Sequence, residues 1–382
     1  YYAWQIRTLG AKFQPHSLWG EANQTTYEPR GLTAVIAPWN FPLAISAGMV
    51  SAALAAGNAV LYKPAEATSA TGRMLYDALI EAGVPKDVLH FLPGEGHVVG
   101  AAMAQHPAVA VIAFTGSKEV GLRLYEHAGK TLHHQPHLKK CVIEMGGKNA
   151  IIIDSDADLD EAIPAVVQSA FGFQGQKCSA ASRLIVVGRA YEPCLQRLSD
   201  MVNELSLGPA DNPQHHVNAV IDLPAFEKIN RYITLGKQEC RLVAQAKAPE
   251  GGFFVPPTVF ADVPLEHALS QEEIFGPVLC VYRVKTIDEA VKLALHSPFA
   301  LTGALFSRNP KTIDYVKKAF KVGNLYINRG STGAVVGRQP FGGGKLSGTG
   351  TKAGGPDYLL HFLEPRVVTE NTMRRGFAPA AD

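Results

Sequence analysis

Short runs of β-branched and aliphatic residues alternate with amphipathic stretches along most of this chain, and no other feature restricts the possible folds as strongly. The runs Leu32–Ala37, Ala59–Tyr62, Val88–Leu92, Val109–Phe114 and Val142–Ile153 read as strands. Ser69–Ala82 and Val98–Gln105 between them read as helices. Strand–helix alternation of this kind predicts a parallel, doubly wound α/β sheet. A second α/β series follows Asp154: helices over Leu159–Phe173, Tyr191–Glu204, Ile287–Leu295 and Pro310–Phe320, with a strand at Arg183–Val187. The loops Gly208–Pro213 and Ala248–Pro257 are rich in Gly and Pro. With 382 residues, two or more domains are expected.

Bulk properties exclude several classes. Thirty-six basic against 34 acidic residues give no electrostatic reason for a nucleic-acid partner. Val35–Tyr62 is 28 residues without a charge, long enough for a membrane span. Pro38, Asn40, Pro42 and Asn58 interrupt it, so strand, turn, helix and strand is the better reading. Five widely spaced cysteines are no disulfide framework and suit a reducing, cytoplasmic compartment. The histidines of "HHQPH" (133–137) lack supporting carboxylates, so no metal is expected. The first residues read as mid-helix, and the true N-terminus is expected elsewhere.

Chemistry concentrates where the alternation breaks. In "FGFQGQKCSA" (171–180), Cys178 follows Gly172 and Gly175. By type alone a lone cysteine is more often a small core hydrophobe than a nucleophile. Asn40 in "APWNFP" (37–42) sits between strand and helix, where an amide can donate to an oxyanion or simply close an Asx-turn. Lys63 and Glu66 in "YKPAE" (62–66) end a strand. Gly116 and Ser117 in "FTGSKEVG" (114–121) open a helix directly after one, a geometry that favours phosphate. Glu144 in "IEMGGKNA" (143–150) precedes a Gly-Gly turn. A thiol, an amide donor, a carboxylate base and a dinucleotide fold together describe an oxidation through a covalent intermediate.

These motifs, with "EEIFGPV" (272–278), resemble in order the signatures of the aldehyde dehydrogenase superfamily along nearly the whole chain. The resemblance implies a Rossmann-like NAD-binding domain over about 1–146, N-terminally incomplete, and an α/β catalytic domain over 147–345. A C-terminal return with a small β oligomerisation arm follows over 346–382, its other segment at about 13–30. It further implies Cys178 as nucleophile, Asn40 as oxyanion donor and Glu144 as base for hydrolysis of the thioester. The cofactor is expected to be NAD, held by Ile36, Trp39, Lys63, Glu66, Gly96, Gly116, Ser117, Glu273 and Phe275. Glu66 suits a ribose diol and would repel a 2′-phosphate.

The stretches 328–350 and 354–372 resemble the branch that oxidises L-glutamate γ-semialdehyde, free-standing or as half of a bifunctional proline-catabolic protein beside proline dehydrogenase. On that basis Ser179, Gly333 and Ala334 grip the substrate carboxylate, and Phe41 and Phe341 flank its aliphatic middle. Another aldehyde, or a non-catalytic protein on the same fold, are the competing readings. Residues 360–372, β-prone with no later strand, are expected to lie against a partner subunit in a homo-oligomer.

Overall fold

The computed structural model describes residues 1–9 and 15–373. The chain divides into two compact units. One comprises Tyr1–Thr115, Leu122–Ile143 and the chain from Lys352 onward; the other comprises Gly116–Gly121 and Glu144–Thr351.

A five-stranded sheet organises the first unit, in the order Leu89–Phe91, Ala59–Lys63, Leu32–Ile36, Val109–Thr115, Lys140–Glu144. The first four strands run parallel. Val109–Thr115 is buried almost throughout, as a strand covered on both faces must be. The Ala-rich helix Ala44–Ala55 buries Met49, Val50, Ala52 and Ala53 in a core with Val35, Val60, Tyr62 and Leu89. Asn58, one of the breakers of the uncharged stretch, is a buried tie. Its amide donates to the carbonyls of Ala53 (3.1 Å) and Phe362 (3.0 Å) and accepts from the Gly31 N–H (2.9 Å). No helix among the described residues is long and apolar enough to cross a membrane.

A seven-stranded sheet forms the second unit, ordered Asn324–Ile327, Thr302–Phe306, Asn149–Ile153, Ala181–Val187, Val278–Val284, Thr258–Ala261, Arg241–Gln245. Six strands are parallel and the last is antiparallel. Helices Leu159–Phe171 and Tyr191–Asn203 contribute to one apolar core, and Leu223–Glu239, Ile287–Leu295 and Pro310–Ala319 to another. Arg183, 2% exposed, donates to the carbonyls of Leu293, Ala294 and His296 at the end of Ile287–Leu295, and twice to that of Lys148. A buried cation thereby caps a helix C-terminus and pins the segment after the Gly-Gly turn.

Three elements differ from the periodicity reading. Val142–Ile153 is two strands, Lys140–Glu144 and Asn149–Ile153, in different sheets. Gly146 and Gly147 break it, because a Cβ on either would lie within 3 Å of the Glu273 carboxylate or the Asn149 side chain. Val98–Gln105 is a π-helical turn, Gly96–Gly100, followed by a short α-helix, Ala101–Gln105. Leu223–Glu239, the longest helix described, has no counterpart in that reading, although Asp222 caps it by accepting from the Ala225 N–H (2.8 Å).

Glu21–Pro29 pairs antiparallel with Leu363–Asn371, from Glu21 opposite Asn371 to Pro29 opposite Leu363, in a largely exposed two-stranded ribbon. Phe13 lies outside the described residues. The tail thus finds its strand partner upstream in the same chain. Phe362 and Leu363 belong to the core of their own unit, which corrects the expectation that all of 360–372 awaits a partner.

Candidate active site

The helix Leu159–Phe171 ends at Gly172, and the chain then enters a tight turn, Gly172–Gly175. Phe173, Gln174 and Gly175 all have left-handed backbone (φ 58°, 58° and 66°). For the two non-glycine residues that costs roughly 1–2 kcal/mol each, strain of a kind that collects at functional sites. Cys178 follows. Burial pushes its thiol up to about 12, and the nearby carboxylates of Glu273 and Glu144 push the same way. The N–H groups of Ser179 and of Cys178 itself oppose that shift. A sulfur faced by backbone N–H groups is also where an oxyanion formed on its adduct would find donors.

Gly175 has no room for a side chain. A Cβ there would lie 2.5 Å from the Gly276 carbonyl oxygen and 2.9 Å from that of Ala170. Both are backbone atoms and yield little. Gly175→Ala is therefore expected to shift the cysteine turn and lower kcat by about 10–100-fold, since displacement of about 1 Å suffices for such losses. Steady-state NADH production checks this.

Glu144 ends its strand with the carboxylate fixed. One oxygen accepts from the Thr351 hydroxyl (3.0 Å) and the other from the Gly343 N–H (3.1 Å). Glu273 lies against the following turn and accepts from the Gly147 N–H (2.9 Å). Burial raises its pKa; that N–H and Lys228, whose amine donates to the Glu273 carbonyl (3.1 Å), oppose the rise. A Cβ on Gly146 would lie 1.9 Å from a Glu273 carboxylate oxygen, so glycine is what makes this cradle. Phe275, two residues on, also has left-handed backbone (φ 59°). Lys148 is buried, its amine has no hydrogen-bond partner among the described residues, and desolvation brings its pKa down to about 8.

Of the other expected cofactor residues, Gly116 donates to the Glu144 carbonyl (3.1 Å), and the Ser117 hydroxyl accepts from the Val120 N–H (3.3 Å) as a cap of helix Lys118–Gly129. In the first unit, Ile36 ends its strand and Trp39 and Asn40 follow, Asn40 being 6% exposed. Phe41 accepts the first turn of the next helix through its carbonyl, from the Ile45 N–H (3.1 Å). Lys63 is buried, with its amine 3.0 Å from the Pro64 carbonyl and 3.4 Å from Glu66. Glu66 also accepts from the Gly96 N–H. Burial alone would raise the Glu66 pKa; the backbone N–H groups and Lys63 outweigh it and lower it. The Glu66 carboxylate beside the buried Lys63 amine offers the kind of acceptor that a ribose diol takes.

Gly333 (φ +85°) and Ala334 are flanked by engaged N–H groups: Ser331 donates to the Ser169 hydroxyl (3.2 Å) and Val335 to Gln339 (3.2 Å). Their own N–H groups make no hydrogen bond among the described residues, as a grip for a carboxylate requires. Phe341 is half-buried. Ser179 is fixed through its carbonyl, which accepts from Thr302 (3.3 Å) and Ser331 (3.2 Å). Motif reading does not single out Thr302, Ser331, Thr351 or Lys228, nor Asn149 within "IEMGGKNA" (143–150). For all but Lys228 the one signal is polarity inside or beside apolar or glycine-rich runs.

A family model described as "Aldehyde dehydrogenase family" matches residues 1–368. The chain is 46% identical over 371 residues to a 1-pyrroline-5-carboxylate dehydrogenase of Geobacillus thermodenitrificans (strain NG80-2), covering 97% of this chain and 72% of that protein. Among solved structures it is similar to proline utilization A (PutA) from Bdellovibrio bacteriovorus (51% identity, TM-score 0.96), covering 100% of this chain and 40% of that one. It is also similar to the 1-pyrroline-5-carboxylate dehydrogenase from Thermus with bound NAD (47% identity, TM-score 0.94), covering 97% of this chain and 72% of that one.

Proposed function

The chain belongs to the aldehyde dehydrogenase family, and from that premise we propose that it oxidises L-glutamate γ-semialdehyde to L-glutamate with NAD. The observation that carries this reading is 46% identity to a 1-pyrroline-5-carboxylate dehydrogenase over 371 residues, 97% of the chain. The Cys178 thiol gives up its proton to solvent as its sulfur adds to the aldehyde carbon, and the resulting oxyanion is met by the Cys178 N–H and, in this proposal, by the Asn40 amide. Bound NAD supplies the acceptor for the departing hydride. A thioester on Cys178 remains, retaining part of the oxidation energy. Glu144 takes a proton from the water that hydrolyses it, which frees the acid and restores the thiol.

Lys63 and Glu66 would hold the adenosine ribose, Gly96, Gly116, Ser117, Ile36 and Trp39 the rest of the adenine and pyrophosphate path, and Glu273 and Phe275 the nicotinamide half. Ser179, Gly333 and Ala334 would fix the α-carboxylate, with Phe41 and Phe341 along the methylenes. A steady-state NADH assay with glutamate semialdehyde, succinate semialdehyde and simple aliphatic aldehydes tests the assignment. Equal kcat/KM for all three would overturn the substrate.

Homology to PutA supports work beside a proline dehydrogenase activity, fused or separate, and the cysteine usage supports a cytoplasmic setting. A two-stranded ribbon is marginal alone. The exposed pair Glu21–Pro29 and Leu363–Asn371, with Val367 66% exposed, supports a homo-oligomer built on this arm. Deletion from residue 364 onward spares Phe362 and Leu363 and is expected to yield monomers with weakened activity. Light scattering decides it: an unchanged mass removes the arm from the interface.

A further inference from the structure

The peptide that carries the nucleophile is held by an unusual concentration of side chains. Three consecutive carbonyls are taken. The Asn149 amide donates to those of Cys178 (2.7 Å) and Ala180 (2.8 Å), while Thr302 and Ser331 donate to that of Ser179 between them. Asn149 is 3% exposed, and its Oδ1 accepts from the Thr302 N–H (2.9 Å). Two carbonyls on one side and an N–H on the other leave a single workable orientation of the amide. The backbone is arranged around this side chain. Asn149 opens its strand opposite Ala181, and the ladder shifts register immediately after it. Gly147 leaves the necessary space, since a Cβ there would lie 2.6 Å from Asn149 Oδ1 and 3.0 Å from the Cys178 carbonyl oxygen.

We propose that Asn149 is a positioning residue of the reaction, aiming the Cys178 thiol by locking its carbonyl to that of Ala180; this rests on Cys178 being the nucleophile. The turn before Cys178 is left-handed over Phe173–Gly175 and holds no regular ladder. The Ala180 N–H closes a turn across Cys178 on the Lys177 carbonyl (3.0 Å), and the Asn149 amide, bonded to the Cys178 carbonyl from the other side, holds the orientation of that turn and with it the Cys178 Cα–Cβ bond. Serine at 149 has one donor and less reach, so it spans one carbonyl at most. Aspartate has the same shape but presents oxygen to two carbonyl oxygens. Both substitutions leave the cofactor residues Lys63 and Glu66 and the base Glu144 untouched.

Asn149→Asp and Asn149→Ser are assayed with glutamate semialdehyde and NAD, with turnover expressed per competent site from the NADH burst. The expected result is a kcat lower by about 100-fold for Asn149→Asp and about 10-fold for Asn149→Ser, with KM for the aldehyde within a few-fold, as for a misaimed attacking group. Iodoacetamide inactivation of the folded protein slows in the same order. A purely structural role would lower the melting temperature and the number of competent sites while leaving kcat per site unchanged, and that outcome overturns the proposal. If Asn149→Asp does not fold, Asn149→Ser decides by the same criteria. Cys178→Ser run in parallel separates the two readings. Full turnover in it removes the nucleophile assignment; an inactive Cys178→Ser with native kcat per site in the Asn149 variants removes only the positioning role.

Discussion

Cys178→Ser is expected to lower turnover by at least about 10⁴-fold, the scale seen when a covalent nucleophile is removed, while NAD affinity stays within a few-fold. Desolvation first, then the carboxylates of Glu273 and Glu144, push this half-buried thiol up to about 12, so it is already hard to ionise. A hydroxyl in that position is harder still to ionise and is a weaker nucleophile at its free pKa. Lys63 and Glu66, proposed above to hold the cofactor, are in the other compact unit and keep their hydrogen bonds. Melting temperature and NAD titration confirm that the variant is folded. Turnover within tenfold of the unsubstituted protein would reject the mechanism.

Glu144→Gln separates the two half-reactions. Glutamine is isosteric: its carbonyl can accept from the Gly343 N–H while its NH₂ group faces the Thr351 hydroxyl, so the scaffold holds and only basicity is lost. Thioester formation should persist as a burst of roughly one NADH per site, with steady turnover lower by about 10²–10⁴-fold, the range for loss of a general base. Rapid-mixing absorbance measures both phases. Disappearance of the burst would place Glu144 earlier in the cycle, as acceptor of the thiol proton.

Both predictions rest on residues that motif reading reaches, because the proposed nucleophile and base sit in short local signatures. Other expectations needed the fold to sort them. The Ser117 hydroxyl caps a helix, and Glu66 bonds Lys63 and the Gly96 N–H, partners that no short motif shows. Val142–Ile153 reads as one strand because β-branched residues, Val142-Ile143 and Ile151–Ile153, stand at both of its ends, and periodicity carries no term for a carboxylate packed on the turn between them.

From sequence alone come the α/β class, most of the strand–helix alternation, and Cys178, Glu144 and Asn40 as candidates for the chemistry. Those rest on local periodicity and on spacing within about ten residues. Tertiary structure alone decides what holds them. Asn149 reaches Cys178 from 29 positions away, Ser331 reaches Ser179 from 152, and Thr351 reaches Glu144 from 207. Hydrogen bonds between polar residues so far apart leave no periodic trace in a chain; they exist only once folding brings the start of strand Asn149–Ile153, the chain just before Ala181, the end of Lys140–Glu144 and the loops at Ser331 and Thr351 to their partners.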